Sequence, residues 1–312
     1  MRAKKFLINS FGISIGVVVL FAAVNYRLDY YGLFGFNKEV KIYTSERLCK
    51  YLIAQNYLKD YDGIIAGPSL SANLNPALLS NGKYYNLSVM GATASEMATL
   101  SEHTLGNGKL RTVLFCIDPY IFRFNWEDEV YSSKQYYGAY GSTSLLRNYF
   151  VQFLTESQLF PKLFPKGLYG PNGRKDYNKR LNRNDPESYI RKELKRPLAP
   201  LVVNDDALQR LKDLFVLLRK KKVQVIAYYH PFPAPIQERR KEQYREFLEL
   251  TRSLFTEKDL VLDFNTPEYS FFREDLDNYI DHGHLSELGQ KKLLRMIDSL
   301  TVSQAPIPLA GR

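Results

Sequence analysis

The chain is poor in the residues that usually announce a metal or redox protein, with two Cys, four His and one Trp in 312 residues. Two thiols, Cys49 and Cys116, cannot build a disulfide framework or a zinc knuckle. Cys116 falls in an apolar run, and both read as buried thiols. No Gly-rich phosphate loop follows the first strand-like segment, which argues against a nucleotide site. Internal repeats and low-complexity tracts are missing, and only one stretch is long and apolar enough to cross a bilayer. What is there is a globular composition, 45% hydrophobic and 24% charged, which excludes a wholly disordered or fibrous protein. The length suits one large domain or two small ones. Aromatics reach 14%, nearly all Tyr and Phe, and serve first to fill cores, although Tyr-rich surfaces also contact sugars.

The one long apolar run is Phe6 to Val24, without a charge. At about 1.5 Å per residue it spans roughly 28 Å, close to the hydrocarbon thickness of a bilayer. Arg2, Lys4 and Lys5 precede it, which predicts a cytoplasmic N-terminus and an extracytoplasmic remainder in the cell membrane. Ala22-Ala23 offers small residues for signal cleavage, but the run is longer than a signal core and Asn25-Tyr26-Arg27 is a poor cleavage site. The reading is a single-pass, uncleaved anchor, with Tyr26, Tyr30 and Tyr31 as an interfacial belt.

The net charge of +10 therefore meets an exported setting, where nucleic acid is not an expected partner and no recognition motif for it is present. Much of the excess lies between Lys162 and Lys195, including Arg174-Lys175, Lys179-Arg180 and Arg191-Lys192. Anionic lipid headgroups or an anionic polysaccharide or wall polymer fit that charge, as does a merely solvated basic face.

From Asp62 onward, short apolar runs alternate with helical stretches, the pattern of an α/β fold with a parallel sheet. Strands are predicted at Gly63 to Ala66, Tyr84 to Leu87, Val113 to Ile117, Val223 to Tyr229 and Leu260 to Asp263. Helices are predicted at Thr93 to Leu105, Asp205 to Lys221, Pro235 to Phe255 and Leu285 to Leu300, with a shorter helical piece near Thr143 to Leu154. Between Phe122 and Ala199 the rhythm breaks into a Tyr-, Asn- and Lys-rich stretch that reads as an inserted cap. The expected organisation is an anchor over 1–30, an α/β domain over 31–302 with an insertion at about 123–199, and a loose tail over 303–312.

Two places carry chemistry. Ser69, in Gly67-Pro68-Ser69-Leu70-Ser71, follows the first strand, at the sheet edge where open α/β folds bind ligands. A serine there also suits a helix N-cap. Far downstream, Asp281-His282-Gly283-His284 lets one loop present an imidazole beside the carboxylate that fixes its tautomer. His284 rather than His282 suits the base, because Asp281 cannot easily orient its immediate neighbour. His230, closing the fourth strand, faces the same edge and is a candidate pocket residue, while His103 reads as a surface residue. Two histidines and one aspartate lack a further partner for a metal, and neither a metal nor another cofactor is expected.

Ser after strand one, the glycine turn of Asn86-Leu87-Ser88-Val89-Met90-Gly91 after strand two, and Asp281 to His284 before the last helix together resemble the SGNH (GDSL-like) hydrolase superfamily. The likeness runs from about Asp62 to Leu300 and is closest to the membrane-anchored branch that acylates cell-envelope polysaccharides. It implies a flavodoxin-like three-layer α/β fold with a parallel sheet, and serine esterase or O-acyltransferase activity on acetyl-like esters. A membrane acyltransferase is the implied working partner. It also implies Ser69 as nucleophile, His284 as base, Asp281 as its orienting carboxylate, and the N–H groups of Ser69 and Gly91 as oxyanion donors. The chain departs from the pattern at Asp118, where the superfamily ordinarily has an oxyanion Asn, and at Pro68, where Asp is frequent. Asn73 is a candidate substitute donor. A catalytically weak or inactive polysaccharide-binding subunit on the same fold is the alternative that Asp118 motivates.

Overall fold

The computed structural model describes residues 2–37, 41–42, 45–106, 109–127, 134–177 and 185–303. The chain forms two compact units, Met1–Tyr57 with Asp128–Lys166, and Leu58–Glu127 with Gly167–Arg312. The stretch 123–199 is thus shared, its middle part up to Lys166 lying in the first unit. Helices in chain order are α1 (Arg2–Leu28), α2 (Glu46–Asn56), α3 (Ser69–Ala72), α4 (Ala94–Leu105), α5 (Lys134–Tyr140) and α6 (Leu145–Ser157). They continue with α7 (Pro186–Lys195), α8 (Asp205–Lys220), α9 (Ala234–Arg239), α10 (Lys241–Thr251), α11 (Ser270–Glu274) and α12 (Glu287–Ser303). The tail expected at 303–312 lies, beyond Ser303, outside the described residues.

In the first unit, α1 is long and apolar enough to cross a membrane, with mean hydropathy 2.3 in a window of which none is buried. A buried carboxylate closes the turn after α1. Asp29, at φ +46° and fully buried, accepts N–H bonds from Phe34, Phe36 and Asn37 and a 2.9 Å bond from the Tyr140 hydroxyl. Of the three tyrosines expected as an interfacial belt, Tyr26 is exposed but Tyr30 and Tyr31 are buried. They pack edge-on against each other and against Tyr149 and Tyr136, because aromatic neighbours from α5 and α6 are at hand to cover them.

The second unit is built on a parallel five-stranded sheet of β1 (Gly63–Ala66), β2 (Tyr84–Asn86), β3 (Thr112–Ile117), β4 (Gln224–Tyr229) and β5 (Leu260–Asp263). Its order is β2-β1-β3-β4-β5, that of flavodoxin-like doubly wound sheets. Every residue of β3 and all but the first of β4 are buried, as parallel strands covered on both faces require. On one face Ile65, Leu114, Cys116, Ile226 and Tyr228 pack with Leu293, Leu294 and Ile297 of α12. On the other, Phe115 meets Phe215 of α8 with ring centroids 4.8 Å apart. The α8 helix is specified locally: Asn204 caps it through Ala207 N at 3.0 Å, acids fill its first turn and bases its last. Both cysteines are free and buried, as read from the sequence, and burial pushes the Cys116 thiol up.

The single helix expected over Pro235 to Phe255 is instead α9 and α10, divided at Arg240. There the backbone N–H bonds to both Ile236 and Gln237 while the guanidinium reaches Glu193 at 2.8 Å, which tightens the turn. Helix α7 was hidden in the supposed cap, although Asp185 caps it and Pro186 opens it, a readable start signal.

Candidate active site

The sheet's carboxyl edge gathers the chemistry. At the end of β1 the chain must pass very close to β3. A Cβ on Gly67 would sit 2.6 Å from Cβ of Cys116 and 2.2 Å from Oγ of Ser71, so only glycine fits. Pro68 then ends the ladder and Ser69 becomes the first residue of α3. Ser69 does not cap that helix. Its Oγ lies 2.9 Å from Nε2 of His284, across 215 residues of chain.

His284 is held from its other side. Its Nδ1 lies 2.9 Å from Oδ2 and 3.1 Å from Oδ1 of Asp281. Oδ1 of Asp281 also accepts the backbone N–H of Gly283 at 2.9 Å and of His284 at 2.8 Å. Burial pulls the Asp281 pKa upward, but the His284 side chain and these backbone donors outweigh it and hold the carboxyl well below the usual carboxylate range. An ionised Asp281 keeps the proton of His284 on Nδ1 and leaves Nε2 free to accept from the Ser69 hydroxyl. The imidazole is about one-fifth exposed and Asp281 not at all. His282, half-buried in the same loop, has its pKa lowered by burial.

Sequence reading missed the groups that fix the serine turn. Asn86, fully buried at the end of β2, donates to the carbonyls of Ser71, Ala72 and Leu74 and accepts from Ser88 N, so it clamps α3 and the turn after it. Tyr177 donates its hydroxyl to the carbonyl of Ser69, and its ring stands edge-on to His284 at 5.4 Å. Neither follows from local sequence, since a clamp of this kind is defined by what it reaches.

Gly91, a candidate oxyanion donor, sits at φ +64° in the turn after β2. That turn runs alongside the serine turn through Val89 N to Gly67 O at 3.0 Å. Two other candidates sit elsewhere than expected. Asn73 is turned toward the last helix: its amide donates to the carbonyl of Leu285 at 2.7 Å, fastening the serine turn to the histidine loop. His230 is not in an open pocket but 1% exposed, with Nε2 donating to Gly283 O at 2.8 Å, so it props the Asp281–His284 loop from beneath. Burial lowers its pKa to about 4, and its Nδ1 has no partner among the described residues. Arg174 and Lys175, read as part of a basic face, are also spent internally. Arg174 bonds Asn73 O and pairs with Glu287, and Lys175 is 3% exposed. Lys179 and Arg180 lie outside the described residues.

Asp118 closes β3 at the same edge. It is 5% exposed and one oxygen accepts Tyr120 N at 2.8 Å. Burial pushes its pKa to about 6, with Arg240 and His284 pulling the other way. It lines a pocket of about 360 Å³ with Tyr120, Phe232 and four arginines, Arg123, Arg196, Arg239 and Arg240, against the one further carboxylate Glu193. Phe232 joins this pocket to the Asp281–His284 loop, since a Cβ on Gly283 would lie 3.3 Å from its ring and 3.6 Å from Leu70, which follows Ser69. Among the described residues no group of three or more His, Cys, Asp or Glu is arranged to hold a metal ion.

No protein-family model matches the sequence, and no curated protein sequence matches it either. Among solved structures, the chain is similar to a Streptococcus pneumonia protein provisionally described as a platelet activating factor. The identity is 9% and the TM-score 0.45, covering 92% of this chain and 98% of that one. It is also similar to a Bacteroides fragilis protein provisionally described as an acylhydrolase, at 10% identity and TM-score 0.35, covering 77% of this chain and 86% of that one.

Proposed function

We propose that the chain is a membrane-anchored, extracytoplasmic serine esterase or O-acyltransferase of the SGNH type, acting on acetyl-like esters of a cell-envelope polysaccharide. The observation that carries the reading is the continuous hydrogen-bonded series from Ser69 through His284 to Asp281 at the carboxyl edge of a flavodoxin-like sheet. α1, with the basic residues that open it, supports the anchor and a cytoplasmic N-terminus.

In this mechanism the Ser69 Oγ attacks the ester carbonyl carbon while its proton passes to Nε2 of His284. Asp281 stabilises the imidazolium that results. The tetrahedral oxyanion takes hydrogen bonds from the backbone N–H of Ser69 and Gly91, each such donor contributing roughly 3–4 kcal/mol. Collapse breaks the ester C–O bond, and His284 returns the proton to the departing alcohol. The acyl-serine is then attacked by water, giving an esterase, or by a sugar hydroxyl, giving a transferase, with His284 again taking the proton. In the pocket beyond Phe232, Arg196 and Arg240 pair with Glu193 and Arg239 bonds backbone carbonyls, so Arg123 is the residue that favours an anionic sugar unit as one of the two partners.

A second reading has a specific observation behind it. Asp118 lies near enough to His284 for the imidazole to lower its pKa, and an ionised carboxylate there would repel an oxyanion, which favours a weak or inactive polysaccharide-binding subunit. Intact-mass analysis of the full chain after exposure to p-nitrophenyl acetate decides between them. A gain of about 42 Da in the parent and none in Ser69→Ala supports acyl-serine chemistry. No adduct on either folded protein overturns it and leaves the binding subunit.

A further inference from the structure

The first unit exposes an apolar surface that the catalytic reading does not use. On α6, Leu146, Phe150 and Phe153 recur at helical spacing and are 48%, 61% and 57% exposed. The chain then turns at Gln158, in the left-handed region, and presents Leu159, Phe160 and Leu163 at 60%, 54% and 74% exposed. That second patch is ordered: Leu163 N and Phe164 N both bond to Phe160 O, and Gln158 reaches Phe164 O at 3.3 Å. Contiguous apolar surface of this extent is rare on soluble monomers and marks an interaction site.

Three features identify the occupant as lipid. First, α6 is fixed to the end of the apolar helix α1, with Tyr149 donating to Asn25 at 3.0 Å and Asn148 to Tyr31 at 3.2 Å. Second, further aromatic rings are exposed at that helix end. Tyr26 stacks on Phe34 at 4.6 Å, Phe34 meets Tyr137 at 6.0 Å, and all three rings are exposed. Third, the charges within 145–166 are Arg147, Lys162 and Lys166 against the single acid Glu156, the balance that suits anionic headgroups.

We propose that α6 and the turn through Leu163 lie in the interfacial layer of the bilayer that α1 enters, with the Phe and Leu side chains immersed below the headgroups. The proposal rests on the reading of α1 as a membrane anchor. It makes the first unit a two-point mooring, one helix through the bilayer and one along its surface, which limits how far that unit can tilt or swivel about α1.

The test places a tryptophan at Phe153 (F153W), at Phe150 (F150W) or, as a reference in α1, at Val18 (V18W), in the full-length chain. Each is reconstituted into phosphatidylcholine–phosphatidylglycerol vesicles carrying bromine either near the headgroup end or deep in the acyl chain. Emission is read above that of the parent's Trp126. The expected result is an approximately twofold loss for F153W and F150W with shallow bromine, as for a helix buried about 5–10 Å into the interface, and a loss for V18W with deep bromine. Quenching of V18W with none at Phe153 or Phe150 overturns the proposal and leaves the anchor standing. A blue-shifted, unquenched emission in that case means that protein covers the face. Absence of quenching at all three positions overturns the anchor and the proposal together.

Discussion

At the carboxyl end of β1 the chain turns through Gly67-Pro68 and leaves the Ser69 hydroxyl half-open to solvent and bonded to an imidazole. At the same end of β3 it turns through Asp118-Pro119 and leaves a carboxylate almost wholly buried, bonded to its own turn and facing an arginine-lined pocket. In both places a proline without an N–H stops the ladder and frees the residue beside it to serve the edge. The difference lies in the surroundings. Ser69 is held by Tyr177 and His284, and Asn86 clamps the turn that follows it, whereas Asp118 has burial working against its charge. On the proposed mechanism the first strand end develops charge in a transition state, and the second holds a carboxyl whose ionisation would oppose it.

The largest effect expected at these two ends belongs to Ser69→Ala, which removes the covalent adduct and lowers ester turnover by about 10⁴ or more, read from intact mass and from release of p-nitrophenol. Asp281→Asn, which preserves shape but not charge, is expected to lower turnover about 10³-fold with little change in KM.

The buried His230 offers the next largest effect, on stability. Its folded pKa of about 4 lies below its ordinary 6.5 because burial disfavours the cation. The unfolded chain therefore takes up the proton first as pH falls, and stability present above about 6.5 is lost on the way down to about 4. The loss is on the order of 3 kcal/mol. Urea midpoints at pH 7 and 4.5 should move apart in the parent and much less in His230→Gln.

Asp118→Asn sharpens the comparison directly, since it keeps the cap to Tyr120 while replacing an acceptor charge with a donor. Acylation is expected to rise about tenfold. The ratio of variant to parent should grow as pH increases through about 6, where the parent's carboxyl ionises. A flat ratio would mean that Asp118 does not face the oxyanion. Arg123→Ala should have the smallest effect, about a threefold rise in KM for a carboxylated ester and none for a neutral one.

How far the molecule could be read in advance follows from the range of each interaction. The strands were legible because parallel strands buried on both faces are short apolar runs, and Gly-Pro, Asp-Pro and His-Pro mark three of their ends. Ser69 and the Asp281–His284 pair were legible for the same reason, standing at strand and helix boundaries in a familiar order. Asn73 and His230 were assigned to the correct edge but to the wrong task, because a side chain's task depends on the carbonyl it finds, Leu285 for one and Gly283 for the other. Asn86, read only as the start of the glycine turn, and Tyr177 gave no signal of these tasks, because the carbonyls they reach lie on another segment of the chain. The division of 123–199 between two units was equally hidden, since it depends on which surface each half covers.

The separation of 215 residues between nucleophile and base has a temporal meaning. A ribosome working at about 5–20 residues per second finishes His284 roughly ten seconds or more after Ser69. Until α12 docks and Asn73 captures Leu285, the serine hydroxyl has no proton acceptor and is chemically ordinary. On the proposed mechanism, a chain that stops before His284 therefore carries no acylating power. On that reading the base reaches the nucleophile only late in synthesis, so the segment from Asp281 onward arms the serine turn.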